Sequence, residues 1–317
     1  MKSIVTICFL LFTGLLFAQS KKNYAVDTSF SVQGSWVKEK KKFPFITIAQ
    51  PEVSKGIKIE ENIVYRTMGD RALVLDIYRP AKEKKGSPAV LMIFGGGWRS
   101  GDKTHNRAMA IKLAEQGYVA VSAEYRLSLE APFPAAVHDL KSAVQWLKQH
   151  AKKYSIDTAK VATLGCSAGG QLASLMGNTN GNAFFDDVSA KNEYSSNVHA
   201  VVNIDGTLAF KHPESVEGSV AAQWLGGTWE EKPDVWTNAA PLTHINPQSP
   251  PFLFVNSSIP RFHAGRDDMI KKMDEWGIYH QTKTFPDTPH TFWFFNPWFN
   301  EMTDTIVSYL DKVFKQK

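Results

Sequence analysis

The sequence predicts an α/β fold with a mostly parallel central sheet and helices on both of its faces. Three observations predict it. Short apolar segments lacking polar alternation recur along the chain, the pattern of strands buried on both faces. Helical stretches separate them, as parallel strands require. One such segment, Val161–Leu164, runs through a glycine-rich bend directly into a helix at Ala168–Met176.

In chain order, Ile63–Tyr65 and Ala72–Tyr78 read as strands, and Pro88 leads into an apolar strand at Ala89–Phe94. A helix near Arg107–Gln116 ends at Gly117, and the strand Tyr118–Glu124 follows. Pro134–Ala151 reads as a helix because Val137, Leu140, Val144 and Leu147 share one face. After the strand–bend–helix come the strands Ala200–Ile204 and Phe252–Asn256, a helix near Ala264–Trp276, the strand Tyr279–Thr284 and a closing helix at Met302–Phe314. Residues 207–250, rich in Gly, Pro, Trp and Glu, break this rhythm. They are expected to be an insertion over the carboxyl ends of the strands, where α/β sheets bind ligands. Residues 21–60 are polar and Lys-rich and read as an N-terminal arm, leaving 61–317 as one domain.

The first twenty residues carry one charge, Lys2, and an apolar run from Ile4 to Phe17, with small residues at Ala18 and Ser20. They read as a signal peptide at 1–20, too short for a stable span, which predicts a periplasmic or secreted protein with no stable membrane insertion after its removal. Cys8 leaves with that segment, so Cys166 has no disulfide partner in the mature chain. Composition, with 43% hydrophobic and 21% charged residues, excludes a disordered, collagenous or coiled-coil chain. Lys and Arg outnumber Asp and Glu only by 36 to 31, too mild an excess to argue for nucleic acid.

The strongest local signal is Gly165-Cys166-Ser167-Ala168-Gly169-Gly170 between the strand and the helix. A serine on so tight a bend needs small neighbours, is exposed at the sheet's end, and has a helix amino terminus beside it to stabilise an oxyanion. Ser167 is therefore the expected nucleophile, and Cys166 is expected to pack inward. Gly95-Gly96-Gly97-Trp98 follows an early strand. Its unobstructed N–H groups make Gly96 and Gly97, with Ala168, the expected oxyanion hole. The Lys-Ser/Thr ending of a phosphate loop is missing.

These two glycine motifs, in this order, resemble the α/β-hydrolase superfamily, and more closely esterases of the hormone-sensitive-lipase and feruloyl or acetyl-xylan esterase type. The resemblance covers about residues 62–315 and is carried by GGGW at 95–98, Tyr125-Arg126, Phe133-Pro134, Asp139 and GCSAGG at 165–170. Phe94 departs from it, standing where the family usually has His. The resemblance implies an α/β-hydrolase fold and a serine esterase that needs no metal or other cofactor.

The base of such a fold follows its last strand, which makes His290, in FPDTPHTF, the candidate; His263 and His280 read as structural. The acid stays open. No carboxylate follows Phe252–Asn256, where the family usually places it. Asp205, at the end of Ala200–Ile204, is the favoured candidate. Asp267, Asp268 and Asp287 are alternatives, as is a dyad without an acid.

Trp98, Arg261 and Trp293 are the candidate substrate contacts, the indoles as platforms for sugar rings. PRFHAGRDD at 260–268 and FPDTPH at 285–290 resemble bacterial carbohydrate esterases. That likeness implies a polysaccharide or oligosaccharide ester as partner, with acetyl or methyl groups removed. A lipase or peptidase on the same scaffold, and an inactive binding module, are the competing readings.

Overall fold

The computed structural model describes residues 25–82, 84–187 and 193–315. Eight strands form one sheet: β1 Ile57–Met68, β2 Arg71–Pro80, β3 Ser87–Ile93, β4 Val119–Ala123, β5 Ile156–Cys166, β6 Ala200–Ile204, β7 Phe252–Ser257 and β8 His280–Phe285. Their order across the sheet is β1-β2-β4-β3-β5-β6-β7-β8. β2 runs antiparallel to both β1 and β4, and every pairing from β4 through β8 is parallel.

The sheet separates two apolar cores. Val90 and Met92 of β3 face one, with Met109, Leu113, Ile306 and Leu310 from the helices Arg107–Glu115 and Trp298–Phe314. Leu91 and Ile93 face the other, with Leu140, Val144, Leu172 and Met273 from the helices Ala135–Gln149, Ala168–Asn178 and Arg266–Glu275. All seven residues of β3 are buried, which is why it reads as an unbroken apolar run after Ser87. Each such aliphatic side chain contributes about 1.5–3 kcal/mol.

Two strands extend beyond their apolar cores. β1 starts at Ile57, inside the expected arm, because its half-exposed edge position and two register shifts blur the alternation. β5 starts at Ile156, and its polar portion Asp157–Lys160 lies largely uncovered. The arm itself is structured. It contains a helix at Val32–Glu39, capped by Ser31 Oγ on the Gly34 N–H. Farther on, Thr47–Ile48 pairs antiparallel with Phe295–Asn296. The helix has no fully buried residue; only Val32 and Trp36 pack partly against the core, too narrow a stripe to reveal it.

Residues 207–250 hold three short helices, Ser219–Leu225, Pro233–Ala239 and Pro241–His244. Trp224 and Trp236 are buried and anchor this segment. The apolar leader and Cys8 lie outside the described residues, among which no helix is long and apolar enough to cross a membrane.

Candidate active site

The bend after β5 places Ser167 at φ 54°, ψ −124°, a region that residues with a side chain rarely occupy and that costs about 1–3 kcal/mol. Gly165 makes the bend possible, since a Cβ there would lie 1.9 Å from the Gly169 carbonyl oxygen. The Ser167 N–H donates to the Ile204 carbonyl at 2.8 Å, fixing the bend to β6. Cys166 is buried, and burial pushes its thiol far above its ordinary range, so it sits in the core.

Ser167 Oγ lies 2.8 Å from His290 Nε2, and His290 Nδ1 lies 3.0 Å from Asp205 Oδ2. The three side chains thus form a continuous relay from the ends of β5, β6 and β8. Asp205 is 1% exposed. Ser257 braces its carboxylate through the backbone N–H to Oδ1 (2.8 Å) and the hydroxyl to Oδ2 (2.6 Å). Ser257 closes β7, where an acid was expected, and β6 beside it supplies the carboxylate instead. The alternative carboxylates are engaged elsewhere or lie outside. Asp267 pairs with Arg266, Asp268 with His212, and Asp287 is exposed on a positive-φ turn.

His290 is largely covered. Phe262 stacks on its face (centroids 3.3 Å, 8° between planes), and Trp293 meets it edge-on at 5.0 Å. Burial holds the imidazole below its ordinary value, while the hydrogen bond and charge of Asp205 push it back up. Arg261 adds to the lowering and Glu39 opposes it. The resting imidazole is therefore neutral near pH 7, as a proton acceptor must be.

Gly96 and Gly97 have φ of 129° and 59°. A Cβ on Gly96 would lie 2.1 Å from the Ser100 carbonyl oxygen. Both line the cleft with Ser167 and Ala168, and Ala168 opens the helix Ala168–Asn178. Their three N–H groups have no protein acceptor among the described residues, as donors awaiting an oxyanion would not. The loop is held from behind. Lys103 Nζ contacts both Asp76 oxygens at 2.7 Å in a buried pair, and Phe94, in place of the usual His, stacks on Tyr125.

The candidate substrate contacts divide. Trp98 is 3% exposed, stacked on Trp224 at 4.9 Å with its Nε1 donating to Gln171 Oε1. Trp293 is 2% exposed. Trp98 nonetheless lines the cleft beside Ser167, whereas Trp293 lies behind His290 and does not line it; little of either ring is uncovered. Arg261 is exposed, with its guanidinium 4.1 Å from the centre of the Phe262 ring, and it lines the cleft.

The cleft measures about 720 Å³. The sequence had not placed Lys38, Glu39 and Lys42 of the arm along its wall. Nor had it found Phe262 or Ser257. The missing carboxylate after β7 was the only hint of Ser257. Nothing in PRFH separates Phe262 from an ordinary core aromatic.

Comparison with known proteins agrees with this architecture. The BD-FAE family pattern matches residues 75–266, more than half of the chain. Ser167 and Asp205 lie inside that stretch and His290 beyond it. Esterase LipC of Mycobacterium tuberculosis is 30% identical over 197 residues, covering 60% of this chain and 48% of LipC. Lipase 2 of a Moraxella species is 35% identical over 97 residues, covering 30% of this chain and 22% of that lipase. The chain spans about half or less of the length of the curated relatives it matches. Among solved structures, a truncated carbohydrate esterase from gut microbiota superposes with a TM-score of 0.68 at 23% identity, over 84% of this chain and all of the other. Apo esterase 2 of Thermogutta terrifontis gives 0.68 at 24% identity, over 83% and 96%. With its sheet order and strand-to-helix serine bend, the chain has the α/β-hydrolase fold and belongs to the BD-FAE family.

Proposed function

We propose that this protein is a serine carboxylic ester hydrolase that removes acetyl or methyl ester groups from polysaccharides. The observation that carries the reading is the unbroken relay from Ser167 Oγ through His290 to Asp205, at 2.8 and 3.0 Å. Ser167 Oγ attacks the ester carbonyl as its proton passes to His290 Nε2. The oxygen, now negative, meets the N–H groups of Gly96, Gly97 and Ala168. Asp205 stabilises the imidazolium, which gives its proton to the departing alcohol. A water then repeats the sequence on the acyl-enzyme, yielding the acid and restoring the serine. None of these steps calls for a metal or other cofactor.

The names of the similar proteins, esterases and carbohydrate esterases among them, support the ester part of the reading. An open cleft with both charge signs on its wall suits a polar polymer better than a long acyl chain. Export follows from the apolar run Ile4–Phe17 and is part of the proposal.

The test has two steps. A fluorophosphonate probe should label the parent chain and fail to label Ser167→Ala; an unlabelled parent chain refutes the serine chemistry. Acetate and methanol release is then measured from acetylated xylan and from acetylated and methylated pectin, beside aryl esters of short and long acids and peptides. Turnover of long-chain esters or peptides alone refutes the carbohydrate reading.

A further inference from the structure

A second hollow, of about 780 Å³, opens within the insertion between β6 and β7. The ester-cleaving cleft does not use it, yet the two share a wall. Glu217 lines both, and the wall runs on through Gly218 and Ser219 to Val220, which lines the cleft. Val220 also abuts the oxyanion loop, because a Cβ added to Gly97 would meet its Cγ1 at 2.9 Å.

The hollow's chemistry is that of an aromatic face within a polar rim. Trp229 is half-buried, so part of its indole faces solvent. It is held from one side by the buried Trp236, edge-on at 6.4 Å, whose Nε1 is tied to the Gly227 carbonyl at 2.9 Å. Lys211 Nζ stands over one face of the Trp229 ring, 5.5 Å from its centre, so a sugar would stack on the other face. Ser215, Thr228 and Glu230 add donors and acceptors around it. A pyranose ring presents a matching surface, with C–H groups on its face and hydroxyls round its edge. An indole buries the face while the rim takes the hydroxyls.

We infer that this hollow is a glycan subsite, with Trp229 stacking a pyranosyl ring some way along the polymer from the ester held at Ser167. The inference rests on the proposed action on polysaccharide esters and assigns where the polymer runs: from the nucleophile, past Glu217, into the insertion.

The test compares kcat/KM on partially acetylated xylo-oligosaccharides and oligogalacturonides with kcat/KM on p-nitrophenyl acetate, which is too short to span both hollows. Trp229→Ala should lower the oligosaccharide-to-aryl ratio about tenfold, chiefly through KM, and Trp229→Phe should restore much of it. Trp229→Leu, which keeps apolar volume but no flat face, should lower the ratio equally and serves if the alanine variant does not fold. A ratio unchanged in the folded variants overturns the subsite and leaves the ester reading standing. A parent enzyme that cleaves the aryl acetate but neither oligosaccharide ester overturns the carbohydrate reading and the subsite with it. Failure of serine labelling marks the separate failure of the ester chemistry.

Discussion

Replacing Asp205 with asparagine probes the relay at its least exposed member. The amide oxygen can still accept the Ser257 N–H that now reaches Oδ1 at 2.8 Å, so the fold has a way to keep its bracing. The amide nitrogen then faces His290 Nδ1 and the Ser257 hydroxyl, where the carboxylate accepted from both. His290 answers by presenting a lone pair at Nδ1, which puts its proton on Nε2, the atom 2.8 Å from Ser167 Oγ. The serine proton then has no acceptor. In a serine protease whose triad has these three roles, this change lowers turnover about 10⁴-fold, or about 5.5 kcal/mol of barrier. A loss of about 10³- to 10⁴-fold in kcat is expected here. The pH profile adds a second sign. Burial already holds His290 below 6.5, and Asp205 pushes it back. Without that push the imidazole protonates only at lower pH, so the acid limb of the residual activity should move further acid. The assay is kcat and kcat/KM on a short acyl aryl ester across pH, beside a thermal melt to show the variant is folded. Turnover within tenfold of the parent and an unmoved acid limb would refute the assignment of Asp205.

Three further outcomes follow from geometry described above. Gly165→Ala sets a Cβ 1.9 Å from the Gly169 carbonyl oxygen, so the bend must open; a thermal melt should show a loss of at least about 3 kcal/mol or no soluble protein. Lys103→Met leaves the buried Asp76 carboxylate without its cation and should cost about 3–5 kcal/mol in denaturant unfolding, with Asp76→Asn added to it recovering part. Glu39→Gln removes a negative charge that favours the protonated form of His290; the acid limb of kcat/KM should shift to lower pH, more at low salt than at high.

How much the sequence discloses depends on how local the determining contact is. The serine bend is local: strand, small residues and helix are consecutive from Val161 to Met176, and the geometry there is the geometry they imply. The parallel core is equally plain because strands such as β3 are apolar after their first residue. The acid is a different kind of problem. Asp205 and His290 are 85 residues apart, and only the adjacency of β6, β7 and β8 brings a carboxylate from one strand end under an imidazole from another. The order of strands decides that, and no motif encodes it. The arm shows the opposite failure. The helix Val32–Glu39 packs only Val32 and Trp36, both partly buried, against the core, too little to mark it by periodicity, yet it walls the cleft. The indoles of Trp98 and Trp293 pose a related problem: an aromatic near the serine bend looks the same in sequence whether its face is open or covered.

The pairing of Thr47–Ile48 with Phe295–Asn296 has a practical corollary. It staples the arm to the segment that starts five residues after His290, while Asp27 grips Arg99 on the glycine loop at 2.6 Å. An expression boundary drawn at the family match, residues 75–266, would discard both fasteners along with the histidine itself. A boundary drawn at the first strand would keep the histidine and still cut the staple. Anyone trimming this protein for crystals or for fusion should therefore retain everything from Asp27 onward.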